Sequence, residues 1–250
     1  MSDFEVTVLG VGDTFTERHF SSSLLLSSGG FNLAIDCPDS YRKVLASARA
    51  RAHTTRPLDL PSIDHVLITH VHGDHMNGLE GAAFFKHFVQ GKRVQLVTSQ
   101  EVRDEIWEHR LRAPMAELFD GRQTRSFGFD DYFVHRPLAW DSAVQVGPFS
   151  IRARRTLHHV PTSALLVEAC GRTLGYSSDT AFDPELIAFL EPANLIIHET
   201  NYGPAHTAFS SLLTLPQALQ SKLRVIHYPD EFDPGAARIR PVVEGEILRV

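Results

Sequence analysis

The chain predicts an α/β protein in which helices cover packed sheets. Three observations carry that prediction. Short apolar runs with strand character alternate with amphipathic helical runs, and the same mixture recurs in the second half of the chain. The hydrophobic fraction is 43% against 22% charged residues, which supplies a core and argues against disorder. No Pro/Gly/Ser tract, charge block or short-period repeat divides the 250 residues. A single domain over residues 1–250 is therefore expected, with two related halves as an option within it.

Residues 4–10 alternate loosely and read as a strand that Gly10-Val11-Gly12-Asp13 ends in a turn. Residues 23–28 and 31–36 read as two strands joined by the hairpin signal Gly29-Gly30. An amphipathic helix over 41–52 carries Arg42, Lys43, Arg49 and Arg51, and Pro57 and Pro61 mark the loop after it. Residues 64–69 form a short apolar strand, 70–74 interrupt it, and 76–90 read as a helix. A strand over 93–98 leads to a helix over 99–112 with Ser99 as its N-cap. Residues 113–148 are rich in Phe, Asp and Arg and predict a short helix and an irregular segment. Strands follow over 149–157, 164–169 and 173–176, then a helix over 183–190, a strand over 195–198, a helix over 215–222 and a strand over 225–227.

Lys and Arg total 24 and Asp and Glu 30, a formal charge of −6. That balance does not suit tight non-specific binding to a polynucleotide. Two cysteines, Cys37 and Cys170, make no disulfide framework; one bridge is left open, and reduced thiols in a cytoplasmic protein are the simpler reading. Asp3 and Glu5 near the N-terminus do not fit a signal peptide, and no apolar run approaches the ~18 residues of a membrane helix. The unusual number is 14 histidines, because histidine is the commonest metal ligand.

Four metal-capable side chains fall within six residues in Thr69-His70-Val71-His72-Gly73-Asp74-His75. Residues two apart in an extended chain point the same way, so His70 and His72 can pinch one cation. Asp74 and His75 follow at the strand-to-helix turn and point elsewhere, with Gly73 expected to permit the bend. One cation does not comfortably use all four; two adjacent cations can. An isolated His-x-His would read as a solvated loop, whereas this complete run after an apolar strand reads as a metal motif. Further candidates stand at the ends of later strands: His158-His159-Val160-Pro161, Tyr176-Ser177-Ser178-Asp179-Thr180 and Val225-Ile226-His227-Tyr228. A site assembled on one rim of a sheet has this pattern. Taken alone, Asp179 would also suit a turn or an N-cap, and His227 a core strand.

THVHGDH resembles the THxHxDH signature of the metallo-β-lactamase fold superfamily, and the later elements match in order. Within that superfamily the chain is similar to the ribonuclease Z and phosphodiesterase branch. The matching elements are Gly12-Asp13-Thr14, Arg18, Ser21-Ser22-Ser23, Asp36-Cys37-Pro38-Asp39-Ser40, His198-Glu199-Thr200 and His206-Thr207. The resemblance spans about residues 4–228. It implies a four-layer αβ/βα sandwich, two packed mixed sheets flanked by helices. It also implies two metal sites, one with His70, His72 and His158 and one with Asp74, His75 and His227, bridged by Asp179. His158 and His159 compete for one place; the family pattern, a ligand three residues before Pro161, selects His158. Mixed His and carboxylate ligands favour zinc, with manganese or iron fitting similar sites.

The expected chemistry is hydrolysis by a hydroxide bridging two divalent ions. The resemblance assigns His206 as proton donor to the leaving group, with Glu199 holding or tuning it; Asp74, besides being a ligand, is expected to orient the nucleophile or accept its proton. Glu199 read alone is equally a structural partner of a nearby histidine, and His198 reads as a support behind the ligands. The expected substrate is a small phosphodiester such as a cyclic nucleotide. The basic Gly/Pro-rich arm of tRNA-processing relatives has no counterpart between His75 and His158, where acidic residues offset Lys and Arg, and the 36–40 turn departs from the family's Gly-rich form. A lactone, ester or thioester hydrolase and a ribonuclease Z-like endonuclease are the alternatives, and a non-catalytic metal-stabilised module a third. Phe127, Phe129, Tyr132 and Phe133 are read either as base-stacking residues at the pocket mouth or as a core or dimer patch. Many relatives form homodimers, so a homodimer is expected by resemblance.

Overall fold

The computed structural model describes residues 3–52, 57–233, 235 and 237–250. In chain order the strands are β1 (Glu5–Gly10), β2 (Ser23–Ser28), β3 (Phe31–Ile35), β4 (His65–Leu67) and β5 (Val94–Thr98), all in one sheet. Strands β6 (Glu117–Phe119) and β7 (Thr124–Ser126) make a small exposed hairpin, and β8 (Phe133–Pro137) returns to the first sheet. A second sheet holds β9 (Val144–Val146), β10 (Phe149–Arg155), β11 (Ser163–Ala169), β12 (Arg172–Tyr176), β13 (Leu195–Glu199) and β14 (Leu223–Ile226). The last strand, β15 (Ile247–Arg249), closes the first sheet beside β1.

Both sheets are mixed. The first runs β15-β1-β2-β3-β4-β5-β8, antiparallel as far as β3 and parallel from β3 to β8. The second runs β14-β13-β12-β11-β10-β9, with β12, β13 and β14 parallel and the others antiparallel. Alternation along the strands builds the layers. On β11, Leu165 and Val167 face the other sheet and pack with Val6, Leu24, Leu33 and Val97, while Ala164 and Leu166 face the helix Pro184–Leu190. On the first sheet, Leu25, Ala34, Val66 and Leu96 face outward onto Val44, Leu45 and Ala48 of the helix Tyr41–Arg51 and onto Leu79 and Ala83 of the helix Leu79–Phe84. Strands apolar on both faces need cover on both faces, and the outcome is helix, sheet, sheet, helix. This is the four-layer sandwich expected from the sequence.

The helix expected over 76–90 begins earlier and is broken. A turn of helix at Gly73–Met76 precedes Leu79–Phe84, which continues into widened π-type turns over Phe85–Val89. The break falls at Gly78, whose N–H donates to the Cys37 carbonyl at 2.9 Å; a Cβ there would sit 2.1 Å from the Pro38 carbonyl oxygen. Ser99 caps the following helix as expected, accepting from the Val102 N–H, and helical structure runs on to Met115. Residues 113–148 hold more than expected: the short helix Phe129–Tyr132 is joined by the β6–β7 hairpin, β8 and β9. Phe129, Tyr132 and Phe133 are buried with Trp107 in the outer core of the first sheet, and Phe127 packs against that core. The core reading of this segment therefore holds over base stacking: Phe129, Tyr132 and Phe133 are buried, and none of the four rings, the half-buried Phe127 included, lines the cavity described below. Cys37 is a buried free thiol and Cys170 an exposed one. No helix among the described residues is long and apolar enough to cross a membrane.

Candidate metal centre and active site

The candidate residues follow the C-terminal ends of the parallel strands in both sheets. Asp36 follows β3, His70 to His75 follow β4, Asp179 follows β12, Glu199 ends β13 and His227 follows β14. The two sheets are tied together here: the Tyr228 N–H, after β14, donates to the Val11 carbonyl, after β1, at 3.2 Å. Asp36, Ser178 and His227 have positive φ (63°, 51° and 58°), three of the five non-glycine residues that do so among the described residues. Such a backbone costs roughly 1–3 kcal/mol per residue and persists where the surroundings impose it.

The seven expected ligand side chains converge. His70, His72, His158 and Asp179 form one group of donor atoms, and Asp74, His75 and His227 another, each group within 4.8 Å. In the first, His158 Nε2 lies 3.1 Å from His72 Nδ1. In the second, Asp74 Oδ2 lies 3.4 Å from His227 Nε2 and 3.5 Å from His75 Nε2. Asp179 stands between them: Oδ2 is 3.7 Å from His70 Nε2 and 3.8 Å from His158 Nε2, while Oδ1 is 3.4 Å from His75 Nε2. His158 rather than His159 occupies the group; the exposed His159 lines the cavity outside. Gly73 differs from expectation. It is the first helical residue and has no positive φ, and what its missing side chain leaves is room for Asn77, 2.7 Å from an added Cβ.

The residues behind the ligands fix which nitrogen faces inward. His75 Nδ1 contacts Asp36 Oδ2 at 2.8 Å, His70 Nδ1 contacts Thr69 Oγ1 at 3.0 Å, and His158 Nδ1 contacts the Ala205 carbonyl at 3.1 Å. Asp36 also accepts from the Thr69 N–H and hydroxyl. The Nε2 atoms of His70 and His75 are buried with no hydrogen-bond partner. A buried imidazole nitrogen left unpaired costs about 1–3 kcal/mol, unless a cation takes its lone pair. Outer nitrogens bonded and inner nitrogens free is the arrangement of metal-ligating histidines. The donor set thus fits a pair of divalent ions.

Electrostatics divide the cluster, keeping His70 and His158 neutral and drawing positive charge to His75. Burial, opposed in part by Asp179, pushes His158 down to about 4 and keeps its ring neutral. Burial also lowers His70, with His75 adding to the effect. For His75 burial acts downward, but Asp179, Asp74 and Asp36 together outweigh it and hold the ring well above the usual histidine range. Burial raises Asp74 and Asp179, and neighbouring histidines more than reverse this, so both carboxylates stay ionised.

Glu199 and His206 meet beside this cluster. His206 Nδ1 donates to Glu199 Oε1 at 3.0 Å, and the Thr180 N–H donates to the same oxygen at 2.6 Å. The His206 ring stacks on His227 at 5.5 Å and also lies within ligand distance of Asp179. Burial, then Asp179, push the Glu199 carboxyl well above its usual range. His198 does not support the ligands: its Nδ1 donates to the Glu199 carbonyl at 2.8 Å and its buried Nε2 has no partner.

The cluster floors a cavity of about 810 Å³, lined by His72, Asp74, Asp179, His206 and His227 below and by two loops above. The loops carry Asp13, Phe15 and Arg18 on one side and Asn201 and Tyr202 on the other. The sequence offered Asp13 and Arg18; it gave no sign of Phe15 and Tyr202, whose signal is exposure itself, 87% and 69%.

The family model described as Anti-Pycsar protein Apyc1 matches residues 4–242. The chain belongs to that family. The Anti-Pycsar protein Apyc1 of Paenibacillus sp. (strain J14) is 32% identical over 233 residues, covering 90% of this chain and 89% of the relative. Among solved structures, the metallo-β-lactamase fold protein YhfI of Bacillus subtilis superposes with a TM-score of 0.78 at 18% identity, covering 99% of this chain and all of that one. Human short-form tRNase Z does so at 0.68, 18% identity and 98% of both chains. The metallo-β-lactamase fold and the place beside the ribonuclease Z and phosphodiesterase branch stand as the sequence suggested. A member of the Apyc1 family on this fold is a metal-dependent hydrolase.

Proposed function

We propose that the protein hydrolyses a small phosphodiester, a cyclic nucleotide, with two zinc ions held by His70, His72 and His158 on one side and Asp74, His75 and His227 on the other, and Asp179 between them. The observation that carries this reading is His206, held from behind by the buried Glu199 and facing the same cavity as the converging ligands. An alkoxide leaving from phosphorus is strongly basic and needs a proton, whereas a thiolate does not. Five imidazoles and two carboxylates favour zinc. When bound, the ions supply Lewis acidity at the phosphoryl group and make a water acidic near neutral pH.

The chain's own residues do the rest. His206 Nδ1 is committed to Glu199, so Nε2 is the atom that passes a proton to the departing sugar oxygen. Glu199, gripped by the Thr180 N–H, holds that ring in line. Asp74 stays ionised at the cavity floor, where it orients the nucleophile and can take its proton. Substrate size follows from charge. The cavity wall carries six carboxylates (Asp13, Glu17, Asp74, Asp179, Asp230 and Glu231) against one guanidinium, Arg18. A polyanion needs a basic track along its phosphates. A single phosphodiester that reaches the ions does not. The volume lies within the roughly 300–1,000 Å³ of small-molecule sites.

Parallel assays test the reading. Zinc-loaded protein should hydrolyse 3′,5′-cyclic nucleotides and leave a panel of lactones, carboxylic esters and thioesters nearly untouched. Activity confined to that panel would overturn it.

A further inference from the structure

The cavity mouth carries two large aromatic side chains that the folded protein leaves in solvent, Phe15 and Tyr202. They come from loops 187 residues apart, yet one chain of hydrogen bonds holds both. The Phe15 N–H donates to Asp13 Oδ1 at 2.9 Å. Asp13 Oδ2 accepts from Asn201 Nδ2 at 3.0 Å. Asn201 Oδ1 accepts from the Tyr202 N–H at 2.7 Å. Asp13 is itself buried, so this relay is part of the folded frame. A second tie fixes the Phe15 loop: Asp230 accepts from the Thr16 hydroxyl at 2.5 Å and from the Glu17 N–H at 2.8 Å. The Tyr202 loop is the one that delivers His206, whose N–H donates to the Gly203 carbonyl at 3.3 Å.

Exposing two aromatic rings on fastened loops forgoes the gain of burying them. The gain is recovered if a flat ligand ring covers them. We propose that Phe15 and Tyr202 form the surface on which the nucleobase of the substrate stacks, with Asp13 and Asn201 as the positioning residues that hold it beside His206. This rests on the cyclic nucleotide reading above and adds to it the groups that recognise the base. The phosphate enters toward the ligand cluster and the base stays at the mouth.

The experiment compares kcat/KM for a 3′,5′-cyclic nucleotide with that for 1-O-methylribofuranose 3′,5′-cyclic phosphate, which keeps the phosphate ring and lacks a base. The clamp predicts that wild type prefers the nucleotide. Phe15→Ala and Tyr202→Ala should each reduce that preference roughly 5- to 150-fold, the span of one lost stacking contact. Phe15→Tyr and Tyr202→Phe should retain it. Asp13→Asn, which loses one acceptor of the relay, should raise KM for the nucleotide more than it lowers kcat. A preference unchanged in both alanine variants overturns the clamp while leaving the phosphodiesterase reading in place. Wild-type protein that hydrolyses neither cyclic phosphate overturns that reading and the clamp with it.

Discussion

Four single side chains carry the sharpest expectations. His206 holds Glu199 with one nitrogen and faces the cavity with the other, so its value depends on the leaving group. His206→Ala should lower turnover of an alkyl phosphodiester about 10²- to 10⁴-fold and that of an activated aryl diester far less. Equal losses on both would remove its acid role. His158 and His159 are adjacent in sequence and differ in where they point. His158→Ala should lose at least one equivalent of zinc by metal analysis, and His159→Ala none. His198 tests burial rather than catalysis. Burial takes its pKa from the usual 6.5 to about 4, so the unfolded chain binds a proton that the folded chain refuses between those values. The stability gained by keeping it neutral is therefore complete above pH 6.5 and lost as pH falls toward 4. The loss amounts to about 2 kcal/mol between pH 7 and pH 5. His198→Asn, which can keep the donor to the Glu199 carbonyl, should flatten that part of the pH dependence in denaturant titrations.

At the level of elements, the site depends on where strands stop and what pins the turns after them. The Cys37 N–H donates to the His75 carbonyl at 2.7 Å, and the Gly78 N–H returns to the Cys37 carbonyl, so the 36–38 turn and the ligand-bearing helix are laced together. Gly78→Ala would put a methyl group 2.1 Å from the Pro38 oxygen. The 36–38 turn and the helical segment must then part, at a cost of about 2–3 kcal/mol, which should lower Tm by roughly 5–10 °C and loosen zinc. A melting curve unchanged from wild type would show that this contact yields freely. The elements legible in the sequence were those with a strong local pattern: the β2–β3 hairpin, the buried strand β11, the Ser99-capped helix. The missed strands β8 and β15 are both edge strands of the first sheet. Strand β8, Phe-Val-His-Arg-Pro, has a polar and proline-ended half because only one neighbour needs its hydrogen bonds. Such a pattern reads as a loop. Short helices such as Gly73–Met76 and Phe209–Leu212 are single turns that packing, not propensity, maintains.

Across the whole molecule, two mixed sheets each present the ends of parallel strands to a shared rim, and the ligand run after β4 meets Asp179 and His227 from the other sheet there. The run His70 to His75 was legible as a metal motif because its spacing is local. The later candidates, His158, Asp179 and His227, were legible as strand-end residues, but only family resemblance separated them from turn or core residues, since nothing in a lone His227 distinguishes a ligand from a core residue. Phe15 and Tyr202 were illegible because loop aromatics show their role only once the fold places them on one cavity. If two ions are held across both sheets, as proposed, they would also tie the sheets together. The most direct measurement is metal content and activity on one preparation, before and after exhaustive chelation and after zinc is restored. The prediction is two zinc ions per chain, cyclic nucleotide hydrolysis that falls to background on chelation and returns with zinc, and a Tm lowered by about 10 °C in the stripped protein. Full activity in protein shown to be free of metal would contradict the account.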